Sequence, residues 1–215
     1  MKIFVIGAHG QVGQLLTQKL AHLGNDVYAG IRKADEAGTI EKLGGIPVQF
    51  DLMGSIQQMA TTIAGTGAQA IIFTAGSGGS TDGDATLNID LDGAVRSMEA
   101  AELDGIKRYL IVSAMGTDDR EFWEKSGIRS YYVAKYYADQ WLMHRTDLEY
   151  TILRPGILTN DAPTDKIEVD PAPDADKHVT RSDVASVAAA ALNDPNTIGK
   201  IITFANGNVP ISELI

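Results

Sequence analysis

Short apolar runs alternate with segments of helical period along most of the chain, and this alternation constrains the fold more than any other feature. Between the runs, apolar residues at steps of three or four, such as Leu16, Leu20 and Leu23, predict helices. Nearly continuous apolar strands separated by helices indicate a parallel sheet covered on both faces, in a doubly wound α/β architecture. The predicted strands are Lys2 to Ile6, Asp26 to Ile31, Ile46 to Phe50, Ala70 to Thr74, Arg108 to Ser113, Tyr150 to Leu153 and Lys200 to Phe204.

The length of 215 residues predicts one domain rather than two. The Pro-rich, acidic stretch Asp161 to Asp176 is typical of a long loop, and we expect a flap over about residues 159–179. A linker between two domains is the alternative. However, few residues follow this stretch, and Arg181 to Leu192 has the pattern of one more helix of the same sheet. We therefore expect a single domain over residues 1–215 with a small C-terminal lobe.

Acidic residues outnumber basic ones by 28 to 18, which gives a formal net charge of −10. Nucleic-acid binding depends on clustered Lys and Arg, so a nucleic-acid partner is not expected. The chain has no Cys, which excludes disulfides and thiolate chemistry and fits a cytoplasmic protein. The apolar start, Met1 to Ile6, is too short for a signal peptide or a membrane span. We expect a soluble, cytoplasmic monomer or homodimer that acts on a small molecule and has no membrane partner.

A glycine-rich turn, residues 7–13 with the sequence GAHGQVG, directly follows the first predicted strand and opens the first helix. Glycines let the backbone approach a pyrophosphate, and the free N–H groups of the helix start face the anion. The spacing is one residue longer at its first step than the dinucleotide pattern G-x-G-x-x-G. An ordinary tight turn with Gly13 packed on the sheet is the alternative. In this context the turn predicts a dinucleotide-binding Rossmann fold with a mostly parallel sheet of about seven strands. The residues expected to contact the cofactor here are Gly7, His9, Gly10, Gln11 and Val12.

The end of the second predicted strand indicates which dinucleotide is bound. Asp26 opens that strand, whereas Arg32 and Lys33 follow its carboxyl end, which is the end that faces the ligand. A guanidinium group binds phosphate in a bidentate fork, so Arg32, assisted by Lys33, predicts that NADP(H) is preferred over NAD(H). A solvated loop is the alternative for both cations.

Two further strand ends supply candidate cofactor contacts. Asp51 and Leu52 follow the third strand, where a carboxylate and a backbone group can meet the adenine; a helix cap near Ser55 is the alternative. The small residues Thr74, Ala75 and Gly76 end the fourth strand and would let the backbone pass close to a ribose, although an ordinary turn would need the same residues.

Several motifs in this order resemble the short-chain dehydrogenase/reductase superfamily, and more closely its atypical NAD(P)H-binding branch of NmrA-like and biliverdin reductase B-like proteins. The likeness covers nearly the whole chain. It is carried by Gly7 to Gly13, Asp51-Leu52, Ser113, Tyr131 to Lys135, Thr151 to Gly156 and Arg181 to Ala185.

The resemblance implies that Ser113, Tyr131 and Lys135 are catalytic, with Lys135 also contacting cofactor ribose. Residues four apart lie one above the other on a helix, so Lys135 would lower the pKa of Tyr131 and help it pass a proton to a carbonyl oxygen that Ser113 holds. The sequence departs from the family at its helical Asn, which aligns with Asp90 or Asn88. Packing of the tyrosines and capping of a strand by Ser113 are the alternatives.

Arg154-Pro155-Gly156 follows the sixth predicted strand, so the backbone of Pro155 and Gly156 is expected to meet the nicotinamide carboxamide; a simple turn is the alternative. Phe122 and Trp123, together with the flap, would line an apolar substrate pocket or would only pack. The chain shows no metal-ligand spacing among its four scattered histidines, His9, His22, His144 and His178, so no metal site is predicted.

The favoured hypothesis is an NADP(H)-dependent oxidoreductase that reduces a small carbonyl, quinone or conjugated acceptor by hydride transfer. An NADP(H)-sensing regulator without turnover is the second hypothesis. A nucleotide-sugar epimerase or dehydratase is the third, and it is weaker because such proteins usually carry a larger C-terminal domain. The fold alone does not choose among them.

Overall fold

The structure is a computed structural model that describes residues 1–78 and 83–214. The strands are β1 (Lys2–Ile6), β2 (Asp26–Ile31), β3 (Ile46–Gln49), β4 (Ala70–Phe73), β5 (Arg108–Val112), β6 (Glu149–Pro155), β7 (Ile157–Thr159), β8 (Lys166–Val169), β9 (His178–Thr180), β10 (Lys200–Asn206) and β11 (Val209–Pro210). The helices are α1 (Gln11–His22), α2 (Ala37–Lys42), α3 (Ile56–Ala64), α4 (Gly83–Thr86), α5 (Ala94–Leu103), α6 (Arg120–Lys125), α7 (Arg129–Arg145), α8 (Arg181–Asn193) and α9 (Ile211–Leu214). A π-helical segment, Leu87–Gly93, joins α4 to α5.

Within the described residues, the main sheet has nine strands in the order β11-β8-β10-β6-β5-β4-β1-β2-β3. The strands from β10 to β3 pair in parallel, whereas β8 pairs antiparallel with both β10 and β11. The chain starts in the middle of the sheet, and the strand order reverses between β1 and β4. This reversal creates the crevice in which doubly wound sheets bind ligands. The predicted Rossmann fold is confirmed.

The strand count of about seven was too low. The seven predicted runs form the parallel part of the sheet, and β8 and β11 extend it to nine strands. Strand β8 lies in the segment predicted to be a loop, and Lys166–Val169 buries only Ile167, so its apolar signal is weak. Strands β7 and β9 form a separate pair beside the sheet. The function of residues 159–179 as a flap stays a prediction.

Helices cover both faces of the sheet because the parallel strands are apolar on both sides. On one face α1 and α8 pack against β1, β2 and β5 through residues such as Leu16, Leu20 and Val187. On the other face α3, α5 and α7 cover the sheet with Met59, Met98 and Leu142. In the part of the chain that is described, no helix is long and apolar enough to cross a membrane.

Candidate functional site

The predicted site residues lie at one edge of the sheet. Because β1 to β6 run parallel, the segments that follow them meet at their carboxyl ends. This edge carries the glycine turn after β1, Arg32 after β2, Asp51 after β3, Thr74 after β4 and Ser113 after β5. The structure thus brings together residues that are up to about a hundred positions apart in the sequence.

The glycine turn fits closely against the end of β4. Gly7 has φ +81°, and a Cβ there would lie 2.5 Å from the backbone nitrogen of Ala75. A Cβ on Gly13 would lie 2.2 Å from the carbonyl oxygen of Gly7, so helix α1 begins directly against the turn. Residues without a side chain are therefore required at both positions, whereas the packing alternative named Gly13 alone.

The start of α1 is suited to an anion. Gly10 is its N-cap residue and supplies no side-chain cap, and the first turn contains no acidic residue. The N–H groups of the first turn of a helix have no partner within that helix, so those of α1 are available to an anion at the positive end of the helix dipole. The binding of a cofactor pyrophosphate here, at the predicted contacts Gln11 and Val12, stays a prediction.

An acidic residue that the sequence analysis missed lies beside Arg32 and Lys33. The Glu36 carboxylate accepts hydrogen bonds from the backbone N–H groups of Arg32 and Lys33, at 2.9 and 3.3 Å, and lies 3.6 Å from His9 Nδ1. Partial burial favours the neutral acid, but these backbone bonds and the nearby cations outweigh it, so the pKa of Glu36 is lowered. Arg32 and Lys33 are exposed, and a carboxylate stands next to the phosphate site predicted for them.

The strand ends around the crevice adopt defined turns. Asp51 accepts a hydrogen bond from Met53 N at 2.9 Å, while Ser55, rather than Asp51, caps α3 by accepting from Gln58 N at 3.2 Å. Leu52 packs on Gly93, where a Cβ would lie 2.8 Å from its Cγ. The side chain of Leu52 is thus partly buried against the core, and a cofactor contact would come from its backbone.

Thr74, Ala75 and Gly76 line the crevice next to the glycine turn. The hydroxyl of Thr74 donates to the carbonyl of Ile6 at 3.0 Å and approaches that of Gly7 at 3.3 Å. A Cβ on Gly76 would lie 3.1 Å from Oδ1 of Asp90. Residues 74–76 therefore lie between the glycine turn and the buried carboxylate of Asp90.

Lys135 is buried beside Tyr131 on α7. Its Nζ lies 5.7 Å from the centroid of the Tyr131 ring, donates to the carbonyl of Val112 at 3.3 Å and forms an ion pair with Asp90 Oδ1 at 3.2 Å. Burial favours the neutral amine, but Asp90 and the neighbouring groups outweigh it, so the pKa of Lys135 is raised and the side chain is cationic. Tyr131 and Lys135 are therefore neighbours, as the helical spacing predicted.

The expected lowering of the Tyr131 pKa does not occur. Burial raises the pKa of this phenol above its usual value; Lys135 acts in the opposite direction, but Asp90 and Asp139 add to the rise. Tyr131 thus carries its proton at neutral pH. The reason is that burial of the phenol, reinforced by two buried carboxylates, outweighs the cation on which the expectation relied.

Ser113 forms a hydrogen bond to a buried ion pair between Asp139 and Arg154. Its hydroxyl donates to Asp139 Oδ2 at 3.0 Å, and the same oxygen accepts from Arg154 Nε at 3.1 Å. Asp139 is fully buried, and burial raises the pKa of its carboxyl to about 6 although Arg154 and Ser113 oppose the rise. Arg154 also binds the exposed Asp118 at 2.8 Å, so the cluster reaches the surface.

The segment after β6 is held by the sheet and by the chain before β9. Gly156 N donates to the carbonyl of Phe204 at 2.9 Å, and the carbonyl of Pro155 accepts from Met115 N at 2.9 Å. A Cβ on Gly156 would lie 1.9 Å from the carbonyl oxygen of Lys177. These two backbone groups already have partners, and their contact with a nicotinamide carboxamide stays a prediction.

Aromatic rings cluster between Ser113 and α7. Phe122 is 42% exposed and meets Tyr132 edge to face, with ring centroids 5.2 Å apart; Tyr132 meets Tyr131 in the same way at 5.3 Å. Trp123 is buried, and its Nε1 donates to the carbonyl of Gly116 at 3.0 Å. Phe122 therefore presents an apolar face to solvent, whereas Trp123 serves packing.

Comparisons with known proteins identify the family and the fold. A family model described as NAD(P)H-binding matches residues 7–195. The chain is 41% identical to a Bacillus subtilis protein named "Uncharacterized sugar epimerase YhfK", over 100% of this chain and 99% of that protein. A "Putative NAD-dependent epimerase/dehydratase" from Bacillus halodurans superimposes with a TM-score of 0.91 at 35% identity, covering 100% of this chain and 98% of that one. The oxidoreductase ylbE from Lactococcus lactis gives a TM-score of 0.89 at 34% identity, covering 99% and 94%.

This chain belongs to the NAD(P)H-binding family. Its similarity to oxidoreductase and epimerase structures confirms the resemblance to atypical short-chain dehydrogenases/reductases. Among the described residues, no group of three or more His, Asp and Glu side chains is arranged to hold a metal ion.

Proposed function

We propose that the protein is an NADP(H)-dependent oxidoreductase that reduces a small carbonyl, quinone or conjugated acceptor. One observation carries this proposal: a cationic Lys135 lies 5.7 Å from the ring of a protonated Tyr131, next to the crevice between β1 and β4. A cation beside a proton-bearing phenol, at the edge where the dinucleotide fits, is the arrangement that carbonyl reduction needs.

The cofactor would lie along the carboxyl edge of the sheet. The start of α1 would hold the pyrophosphate, and the close contact between Gly7 and Ala75 lets backbone rather than side chains line the crevice. Lys135 would donate to the ribose through an ammonium N–H that is not bonded to Asp90 or to the carbonyl of Val112. Pro155 and Gly156 would border the nicotinamide, which in its reduced form would supply the hydride.

The preference for NADP(H) rests on Arg32 and Lys33. Both cations are exposed beside the glycine turn, and a guanidinium group can bind a 2′-phosphate through two parallel hydrogen bonds. Glu36 opposes this preference because its carboxylate would repel the phosphate and could accept hydrogen bonds from an unmodified ribose. We propose that the two cations prevail, since their combined charge exceeds that of one carboxylate.

The chemistry assigned to the protein is a proton transfer. Tyr131 would donate its phenol proton to the substrate oxygen as the hydride arrives at carbon, and Lys135 would stabilise the phenolate that results. General acid catalysis of this kind contributes about 10² to 10⁴ in rate. The exposed ring of Phe122 favours a planar, apolar substrate.

A first experiment titrates the purified protein with NADPH and NADH and then offers quinone, flavin and aldehyde acceptors, following the absorbance of the reduced cofactor. We expect tighter binding of NADPH and oxidation by at least one acceptor. Arg32→Ala should weaken NADPH binding at least tenfold and leave NADH binding unchanged. Arg145→Ala removes an exposed cation at the far end of α7 and serves as the control.

A second experiment examines the proton donor. Tyr131→Phe should lower the turnover of carbonyl substrates at least a hundredfold, whereas Tyr137→Phe, on the same helix and 47% exposed, should not. Unchanged turnover in Tyr131→Phe would remove Tyr131 from the mechanism. Tight NADPH binding without oxidation by any acceptor would instead support the sensor.

The name of the Bacillus subtilis relative favours a sugar epimerase as the second candidate. An epimerase returns the hydride to its substrate, so the cofactor is not consumed. Incubation with nucleotide sugars, followed by separation of the epimers, tests this candidate independently of the acceptor assays.

A further inference from the structure

The hydroxyl of Ser113 is fixed by a carboxylate behind it. Ser113 is 3% exposed, and its Oγ donates to Asp139 Oδ2 at 3.0 Å. Helix α7 brings Asp139 to this position because it follows Lys135 by four residues and therefore lies on the same face as Tyr131 and Lys135. Asp139 itself has no exposed surface.

Arg154 makes this oxygen of Asp139 a strong acceptor. Its Nε and Nη2 lie 3.1 and 3.0 Å from Oδ2, and its Nη1 binds Asp118 at 2.8 Å. The other carboxylate oxygen, Oδ1, has no hydrogen-bond partner among the described residues. Ser113 and Arg154 therefore converge on a single oxygen whose position is fixed from two sides.

A serine hydroxyl has one proton and two lone pairs. Since the proton is donated to Asp139, Ser113 can offer only lone pairs to a bound ligand. This is the reverse of the polarity expected for a serine that holds a carbonyl oxygen, which requires a donor.

We infer that Asp139 is a positioning residue that makes Ser113 a hydrogen-bond acceptor, so that the substrate carries a hydroxyl or N–H donor on a planar ring at this position. The inference rests on the proposed function, because it assumes that the substrate binds beside Tyr131. It adds a substrate class. The oxygen of the carbonyl that is reduced accepts the phenol proton of Tyr131. The hydroxyl of the product, or another hydroxyl or N–H group on the same ring system, donates to Ser113.

The test compares two probes of similar size on the complex with NADP⁺, in which no reduction can occur. 2-Naphthol has a hydroxyl donor, whereas 2-naphthaldehyde has only an acceptor, so naphthol can bond to both Tyr131 and Ser113. We expect naphthol to bind about tenfold more tightly, the ratio that corresponds to one additional hydrogen bond. Quenching of tryptophan fluorescence or calorimetry measures both dissociation constants.

Variants assign this preference to Asp139. Asp139→Leu has a similar shape and no acceptor, so it frees the Ser113 proton and should abolish the preference; Ser113→Ala should abolish it as well. Asp139→Asn should retain most of it because the amide oxygen can still accept from Ser113 and Arg154. Asp118→Asn alters the surface side of the Arg154 cluster without touching Ser113, and it should behave as the parent protein.

The outcomes separate the inference from the proposed function. If NADP(H) does not bind, the proposed function fails and the inference fails with it. If NADP⁺ binds but naphthol does not, or if the two probes bind equally, the inference alone is overturned. Retention of the preference in Ser113→Ala would also overturn it, and this variant decides the matter if Asp139→Leu does not fold.

Discussion

Lys135 and Asp90 form a buried ion pair, with Nζ and Oδ1 3.2 Å apart and both side chains closed to solvent. Asp90 lies in the π-helical segment before α5, a type of distortion that is frequent at functional sites. It also accepts a hydrogen bond from Ser77 N at 2.9 Å, so it connects the end of β4 to α7. The carboxylate therefore both orients Lys135 and balances the positive charge of its ammonium group.

Replacing Asp90 by Leu should destabilise the protein by about 3 kcal/mol, because it leaves the Lys135 ammonium buried without its counter-ion. Asp90→Asn should cost less, since the amide oxygen can still accept a hydrogen bond. Urea unfolding measures both free energies. Asp92→Asn is the control: Asp92, two residues away, pairs with Arg96 at a half-buried position, and a change within about 0.5 kcal/mol is expected there. A small effect of Asp90→Leu would mean that Lys135 finds another partner.

Gly13→Ala should reduce cofactor binding at least tenfold, because its Cβ would lie 2.2 Å from the carbonyl oxygen of Gly7 and push α1 away from the turn. Overpacking of this kind also costs about 1–3 kcal/mol of stability. Titration with NADPH and thermal unfolding measure the two effects. Gly38→Ala, where a Cβ meets nothing within 4 Å, should change neither. If Gly13→Ala bound NADPH as tightly as the parent protein, the glycine turn would not be part of the cofactor site.

The sequence predicted the parallel strands because their signal is local. Each of these runs is apolar enough to be recognised alone, as Ala70–Phe73 is, in which all four residues are buried. Strand β8 was missed because it is short, charged and surrounded by Pro and Asp, and it is defined by its partners β10 and β11. A strand that is defined mainly by its hydrogen bonds to other strands cannot be predicted from its own residues.

The candidate site was predicted where residues follow a motif, and it was missed where they pair through space. Ser113, Tyr131 and Lys135 came from the resemblance, but their buried carboxylates, Asp90 and Asp139, did not enter it as partners. Asp139 had a usable signal, since it continues the four-residue spacing of Tyr131 and Lys135 along α7. Glu36 also had a local signal, since it follows Lys33 by three residues and accepts from its backbone N–H; only its approach to His9 depends on the fold.

Glu36→Gln should strengthen NADP(H) binding relative to NADH. The substitution removes the negative charge next to Arg32 and Lys33 but retains an oxygen that can accept their backbone N–H groups. We expect the ratio of the two dissociation constants to shift about three- to tenfold toward NADPH, as for the loss of one partly screened repulsion. Glu41→Gln, on the exposed side of α2, is the matched control. A shift toward NADH would assign Glu36 to phosphate binding through His9 or Arg32 instead.

Asp183 connects the segment before β8 to α8. It is fully buried, and its two oxygens accept from Thr164 N, Asp165 N and the hydroxyl of Thr180 at 2.9 to 3.0 Å. Asp183→Ala should therefore loosen residues 160–177 and make them susceptible to proteolysis at protein concentrations and temperatures at which the parent resists. Mass spectrometry of the fragments locates the cleavage. Asp176→Ala, at an exposed position in the same segment, is the control and should give the same fragments as the parent protein. If Asp183→Ala also gave the parent's fragments, Asp183 would not anchor this segment.

Stability should fall as the pH rises through the titration range of Asp139. Burial raises its pKa to about 6 in the folded protein, against about 3.9 in an unfolded chain. Between these values the folded state binds the proton more tightly, so folding is favoured at the acidic end and loses up to about 3 kcal/mol by pH 7. The difference in unfolding free energy between the parent and Asp139→Asn, measured from pH 4 to pH 7, isolates this contribution from that of the other carboxylates. A difference that does not vary with pH would mean that Arg154 keeps Asp139 ionised throughout the range.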